Sequence, residues 1–372
     1  MLNYEFPPLG GGASPVSYEI AKGYVKLGHQ VTVVTMGFKG LPSFEKVDGI
    51  NVYRIPCIRS KKEICYPHEM LSYVISARRF LWKHLKDHKY DVNHTHFIIP
   101  TGIVSLWVKR KFGIPYIITS HGSDVPGYNN DRFKLLHKFT NPTLKKIIKE
   151  AEKIVCPSRY LFNLIENNVI SLDTKGLIIP NGIDVNKFKP QKKKKIILST
   201  GRLLPRKGFQ YLVQAVSNKD YRYEVHIAGN GPMMTELKEL AKNSKTEVIF
   251  HGWMDNKSQE YKDLLESASI YCLVSERENA SIALLEAMSA GCVVITSNVS
   301  GCPETIGNDG FLVAPGDVEN MREILGELTS NPNKIRNFGN KSRKRVLDEY
   351  DWNKKISKYE KIFRGSLDEI GK

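Results

Sequence analysis

The sequence has no apolar run near the ~18 residues needed to cross a bilayer, no Cys-x-x-Cys, and no Asp-x-Asp. The first absence argues against a membrane span. The second argues against a zinc site or disulfide framework, since Cys57, Cys65, Cys156, Cys272, Cys292 and Cys302 are scattered without paired spacing and read as reduced thiols. The third removes the commonest short signature for a metal-held diphosphate. Also missing are G-x-G-x-x-G and G-x-x-x-x-G-K-[ST], so neither a dinucleotide fingerprint nor a Walker loop is present. Met1 leads into a polar, Pro/Gly-rich stretch with no basic n-region or apolar h-region, so a cytoplasmic protein is expected.

What is there is a chain of 372 residues, 41% apolar and 25% charged, with a formal charge of +16. That length predicts two domains. The charge is uneven: residues 1–180 carry 25 Lys/Arg against 14 Asp/Glu, a net +11, and the remainder 30 against 25, a net +5. A basic half attracts phosphates, whether of nucleic acid, anionic lipid or a sugar nucleotide, without choosing among them. Within it, LSYVISARRFLWKHLKDHK puts Leu71, Val74, Ile75, Phe80, Leu81, Trp82 and Leu85 among Arg78, Arg79, Lys83 and Lys86. Two readings stand side by side: an interfacial helix, or a helix packed on its own domain with a basic outer face.

Apolar β-rich runs alternate with helical stretches: QVTVVTM, a helix in the 70s and 80s, YDVNHTH, a helix around Ile103 to Lys111, then PYIITSH. A second series, with KIILSTGRL, YEVHIAG, VIFHG, IYCLVS and CVVITS, repeats the alternation. Both are the βαβ pattern of a parallel sheet. Between them IPNGIDVNKFKPQKKKK reads as a linker with a solvated lysine run, Lys192–Lys195. The expected domains are 1–185 and 186–349, followed by a helix over 350–372. Doubly wound sheets bind ligands beyond the carboxyl ends of their strands, which marks the loops there.

Four such loops carry chemistry. PPLGGGAS precedes a helical stretch, and Gly10, Gly11 and Gly12 can take φ > 0 and bring backbone N–H groups to an anion. HGSD sets His121, Ser123 and Asp124 at the end of a strand, as sugar-hydroxyl partners or simply as a side-chain-stabilised turn. STGRLLPRKG puts Arg202, Arg206 and Lys207 ahead of a helix, a fork and a point charge suited to a diphosphate without a metal. In ENASIALLEAMSAG, Glu278 falls on a loop and Glu286 inside a helix expected over 281–290, with Ile282, Leu285 and Met288 inward. His94 and His96, two apart on a strand, are the best metal pair, and they read as structural because no carboxylate keeps step with them.

In this order, PPLGGG, HGSDV, IPNGID, GRLLPRKG, AGNGP, the E-x7-E pair and SGCPE resemble the retaining family 4 glycosyltransferases over nearly the whole chain. The resemblance implies an α/β GT-B fold, two Rossmann-like doubly wound parallel-sheet domains facing across a cleft, with the acceptor mainly on the first domain and the nucleotide-sugar mainly on the second. Carried over by position, Arg202 and Lys207 would hold the diphosphate, Glu286 the ribose, and Glu278 the donor sugar. Gly11 and Gly12 would approach phosphate and sugar, and His121 would meet a sugar hydroxyl near the reacting carbon. Where the family often shows Gly-Phe-Gly after the first acid, Asn279, Ala280 and Ser281 stand here, and the backbone N–H groups of Asn279 and Ala280 can still bind the sugar. The opening MLNYEFPP is shorter than the family's usual first strand, which predicts a clipped central strand. YDWNKKISKYEKIF looks like the family's closing helix, which crosses back to the first domain.

The activity so implied is an EC 2.4 hexosyl transfer, with retention, from a UDP- or GDP-sugar to a hydroxyl of a glycan, glycolipid or lipid-linked acceptor. No cofactor or metal beyond the nucleotide-sugar co-substrate is expected. A sugar-nucleotide epimerase of the same fold is the alternative, separable because it needs no acceptor. A basic nucleic-acid-binding protein is suggested by charge alone, and no RNA- or DNA-binding signature supports it, so nucleic acid is not expected as a partner. The basic first half also suits peripheral contact with an anionic membrane at its cytoplasmic face.

Overall fold

A computed structural model describes residues 1–128 and 130–370, with the side chains of all of these except 130–139 and 366–370. Gly371 and Lys372, the end of the expected closing helix, lie outside the described residues. In chain order the elements are α1 (Ala13–Lys26), β1 (Thr32–Met36), β2 (Phe44–Val47), β3 (Ile50–Ile55), α2 (Pro67–Asp87), β4 (Asn93–His96), α3 (Thr101–Phe112), β5 (Tyr116–Thr119), α4 (Asn130–Glu150), β6 (Ile154–Cys156), α5 (Arg159–Asn168) and β7 (Gly176–Ile178). The second series is β8 (Lys194–Thr200), α6 (Phe209–Ser217), β9 (Glu224–Ala228), α7 (Met234–Ala241), β10 (Val248–Gly252), α8 (Gln259–Ser267), β11 (Ala268–Leu273), α9 (Ile282–Ser289), β12 (Val293–Ser297), α10 (Cys302–Ile306), β13 (Phe311–Val313), α11 (Val318–Ser330) and α12 (Pro332–Glu349). The last helix is α13 (Trp352–Ile370). The chain divides into two compact units, one of Met1–Asn181 with Trp352–Lys372, the other of Gly182–Asp351.

In the first unit, β4-β5-β6-β7 form a parallel ladder and β1-β3-β2 a second, in which β2 runs antiparallel to β3. The strand expected to join them is a single bridged residue. Leu2 pairs in parallel with both Val34 and Thr95, accepting from His96 N at 3.0 Å and donating to His94 O at 2.9 Å. The Met1 amine donates to Thr32 O at 2.6 Å, and burial pushes it down to about 5. On one side of the sheet α13 packs on α1, where Tyr24 and Phe363 lie 4.9 Å apart edge to face.

The second unit is one six-stranded parallel sheet, order β10-β9-β8-β11-β12-β13. Its strands are apolar runs rather than alternations, as a sheet covered on both faces requires: β11 and β12 are buried at every position. Two cores flank it, one around Phe209 and Leu237, the other around Phe188 and Leu285.

In the lysine run Lys192, Lys194 and Lys195 are exposed as expected, and Lys193 alone departs from the solvated reading. Lys194 and Lys195 open β8, while Lys193 donates to Glu266 O at 3.0 Å and Ala290 O at 2.7 Å at the ends of α8 and α9, and burial lowers its pKa. The supposed linker itself contributes Ile183, Val185 and Phe188 to the core.

Candidate active site

Parallel strands aim their carboxyl ends the same way, so the loops that leave them gather at one edge of each sheet. In the second unit that edge collects Arg202, Lys207, Glu278, Asn279, Ala280, Ser281 and Glu286. β8 ends at Thr200, and the turn that follows exposes Arg202 and Arg206 while Lys207 is half-buried. Gly208 closes that turn and starts α6 with φ 75°. A Cβ there would stand 2.1 Å from Val274 O, so both conformation and space require glycine. Glu276 N donates to Arg206 O at 2.8 Å, tying the loop after β11 to the basic turn.

That tie sets Lys207 Nζ 2.5 Å from Glu278 Oε2, with the Ser275 hydroxyl 3.5 Å from the same oxygen. The basic clamp and the acid of the sugar loop are thus one ion pair. Within the pair the two charges offset each other, while Arg202 and Arg206 stand exposed on the same basic turn. Asn279 and Ser281 are buried, and Ser281 is the residue that begins α9. The helix is one residue shorter at each end than expected, with Leu284, Leu285, Ala287 and Met288 buried and Ile282 only half-buried.

Glu286 sits in α9 with 7% exposure, 3.2 Å from Lys187 Nζ. Burial raises its pKa, while Lys187 and a hydrogen bond from Tyr261 pull it back. Lys187 and Tyr261 did not emerge from the sequence reading. Lys187 stands three residues past the end of the quoted IPNGID, where its chemistry was masked by the linker composition around it. Tyr261 carries no local signal, since only the fold brings α8 to α9.

In the first unit the corresponding edge holds the glycine loop and the HGSD turn. Of the three glycines only Gly10 has φ > 0, at 98°. Gly12 is helical at φ −60° and caps the start of α1, so the freedom to take φ > 0 is used at Gly10 alone. Behind the loop stands Glu5, whose carboxylate accepts from Gly11 N at 3.3 Å and lies 3.6 Å from Arg59. Arg59 in turn donates to Lys61 O and Lys62 O, and Gly10 N donates to Lys62 O at 2.8 Å. Glu5 and Arg59 are further residues the sequence reading missed.

Asp124 organises the HGSD turn: its carboxylate accepts from Ser120 Oγ, His121 N, Gly122 N and Ile98 N at 2.7–3.1 Å. This is the turn-stabilising role. His121 Nε2 lies 3.0 Å from His96 Nδ1, with the two rings stacked. His94 bonds Tyr24 OH at 3.0 Å and Thr119 Oγ1 at 2.8 Å. Burial lowers all three histidines, His121 to about 3, so they are neutral at pH 7. Among the described residues no group of three His, Cys, Asp or Glu is placed to hold a metal ion.

Comparison with known proteins bears on the family and the fold. Residues 10–187 match the family model Glycosyltransferase Family 4, and residues 182–345 match Glycosyl transferases group 1. An uncharacterized glycosyltransferase of Methanocaldococcus jannaschii is 27% identical over 100% of this chain and 99% of its own length. The N-acetyl-alpha-D-glucosaminyl L-malate synthase of Bacillus anthracis is 26% identical over 96% of this chain and 94% of its own. Among solved structures, Anabaena HepE in complex with UDP superposes with a TM-score of 0.77 at 16% identity, covering 98% of each chain. With two family models spanning 10–345 between them and the two parallel-sheet units in place, the chain is a glycosyltransferase of the GT-B fold and belongs to family 4, with its second half of the group 1 type.

Proposed function

We propose that this enzyme moves a hexose-type sugar, with retention of anomeric configuration, from a UDP- or GDP-linked donor to a hydroxyl of a glycan, glycolipid or lipid-linked acceptor at the cytoplasmic face of an anionic membrane. The observation that carries the reading is the Lys207–Glu278 pair at the carboxyl edge of the second sheet, with Arg202 exposed beside it and Glu286 buried behind. The UDP held by HepE and the glucosaminyl product named for the malate synthase support the nucleotide-sugar part.

In this reading Arg202 and Lys207 bind the diphosphate, Glu286 accepts from the ribose hydroxyls, and Glu278 with the Asn279 and Ala280 amides and Ser281 positions the sugar. Gly11 and Gly12 approach phosphate and sugar, and neutral His121 offers a ring nitrogen to a sugar hydroxyl. The bond from the anomeric carbon to the diphosphate oxygen breaks as the acceptor oxygen attacks from the same face. The acceptor proton passes to the departing diphosphate, whose growing charge Arg202 and Lys207 stabilise. No metal or further cofactor enters this scheme.

Thermal stability against UDP, GDP and their sugar conjugates tests it, because a ligand at 100 times Kd adds about 2.7 kcal/mol. A shift with one nucleotide series, lost in Lys207→Ala, is expected. No shift with either series in a folded sample sinks the donor assignment, and an inverted anomer in the product sinks retention.

A further inference from the structure

The outer face of α2 is not what its own domain needs. The helix is anchored inward by Tyr73, Val74, Ala77 and Leu81, all buried. Yet Leu71 is 60% exposed, Ile75 46% and Trp82 43%. With Arg78 and Lys86 these occupy positions i, i+4, i+7, i+11 and i+15, a single stripe on the side away from the core. Ile58, 64% exposed, adjoins it through the bond from its amide to Ser72 Oγ at 3.0 Å.

Cations frame the stripe. Arg79 and Lys83 are exposed along one flank. On the other, α3 brings Trp107 within 6.4 Å of Trp82, with Arg78 5.1 Å over Trp107 and Lys111 5.0 Å over Trp82. Of the helix's two carboxylates, Glu69 is fully buried against Ser60 and Tyr66, and Asp87 closes the helix one turn past Lys83, about 160° around from Leu71, against four exposed cations, Arg78, Arg79, Lys83 and Lys86. Apolar side chains with aromatics at their margin and a ring of Arg and Lys are the makeup of a surface that lies in a bilayer interface and meets anionic headgroups.

We infer that the α2 face, with the end of α3, docks this enzyme onto an anionic lipid surface, Leu71, Ile75 and Trp82 entering the headgroup boundary while Arg79, Lys83 and Lys86 meet the charge. This deepens the membrane clause of the proposed function, and it is tested without sugar transfer so that the two can fail separately.

The full chain is sedimented with vesicles of phosphatidylcholine containing one third phosphatidylglycerol, and with pure phosphatidylcholine. Binding to the anionic vesicles alone, weakening with salt, is expected. R79Q/K83Q should lower the partition coefficient about 30-fold, at about 5-fold per charge, and L71S/I75S by about tenfold or more. Because all four side chains are exposed, melting should be little changed. K238Q/K257Q, which removes two exposed charges from the second unit, should leave binding within about twofold. Absent binding, an equal loss in K238Q/K257Q, or undiminished binding in L71S/I75S would each overturn the inference. So would self-association that L71S/I75S abolishes, which would give the stripe to a second copy of the chain.

Discussion

The two units present their candidate site groups in opposite electrostatic states. In the first, buried His94 and His96 and half-buried His121 form a stack kept neutral by desolvation, and the carboxylate of Asp124 is saturated by backbone and hydroxyl donors. In the second, the site is made of ions held in pairs, Lys207 with Glu278 and Lys187 with Glu286. The difference teaches where charge is useful. A half-buried ion pair is a poor source of stability, but under the proposed function it is a charge set that can exchange partners when a diphosphate arrives. A neutral stack cannot answer a charge, though it can fix the direction in which a ring nitrogen points.

The sharpest way to break this contrast is Lys207→Ala. If Lys207 acts on the charge that grows on the leaving group, kcat should fall about 100- to 1,000-fold, or about 2–4 kcal/mol, with a smaller change in KM. Steady-state kinetics with the donor identified by melting decides it. An unchanged kcat would reduce the Lys207–Glu278 pair to a structural tie.

Next in size is Lys187→Met, which leaves the Glu286 carboxylate buried without its cation. Loss of one partner of a buried pair costs about 3–5 kcal/mol. Here the Lys187 side chain keeps 36% exposure, so about 2 kcal/mol is expected by chemical denaturation. Glu286→Gln in the same background should recover much of it, because the amide needs no counterion.

The titration of the two units should also differ in sign. The folded pKa values of the three histidines lie below the ~6.5 of the unfolded chain, so below that pH the unfolded chain binds more protons. Their contribution is whole above about pH 6.5 and is lost as pH falls toward the folded values, by up to about 1.4 kcal/mol per pH unit for each histidine. Asp124, raised by burial, offsets part of this at the acid end. Glu286, also raised, works the other way from the histidines: its contribution is full below about pH 4.3 and declines as pH climbs through its folded value. Denaturant melts from pH 7 to 4.5 should therefore lose stability, and replacing His94 and His96 together with apolar residues should flatten the slope.

How much of this was legible beforehand follows the same division. Strands such as IYCLVS and CVVITS announced themselves because a doubly covered parallel strand is apolar throughout, and α2 showed as a helix in the 70s and 80s. The antiparallel β2–β3 pair and the three-residue β7 and β13 did not, since short edge strands carry little pattern of their own. The site loops stood out because glycine, arginine and carboxylate on strand-to-helix turns are rare together. Partners that lie distant in sequence, Tyr261 for Glu286 and Arg59 for Glu5, were invisible, because their pairing is a property of the packed fold. The lysine run misled at Lys193 because composition alone cannot tell a solvated charge from one that satisfies carbonyls at two helix ends.

The smallest effect is also the cleanest test of whether the neutral stack serves only its own unit. Tyr24→Phe removes the hydroxyl that bonds His94 Nδ1 at 3.0 Å and leaves the ring in place beside Phe363. One lost hydrogen bond of a buried group should cost about 1 kcal/mol. Since every charged group assigned to the donor lies in Gly182–Asp351 and Tyr24 does not, nucleotide affinity by calorimetry should be unchanged. A fall in that affinity would mean that the histidine stack sets the donor site as well, and the separation of a neutral unit from a charged one would fail.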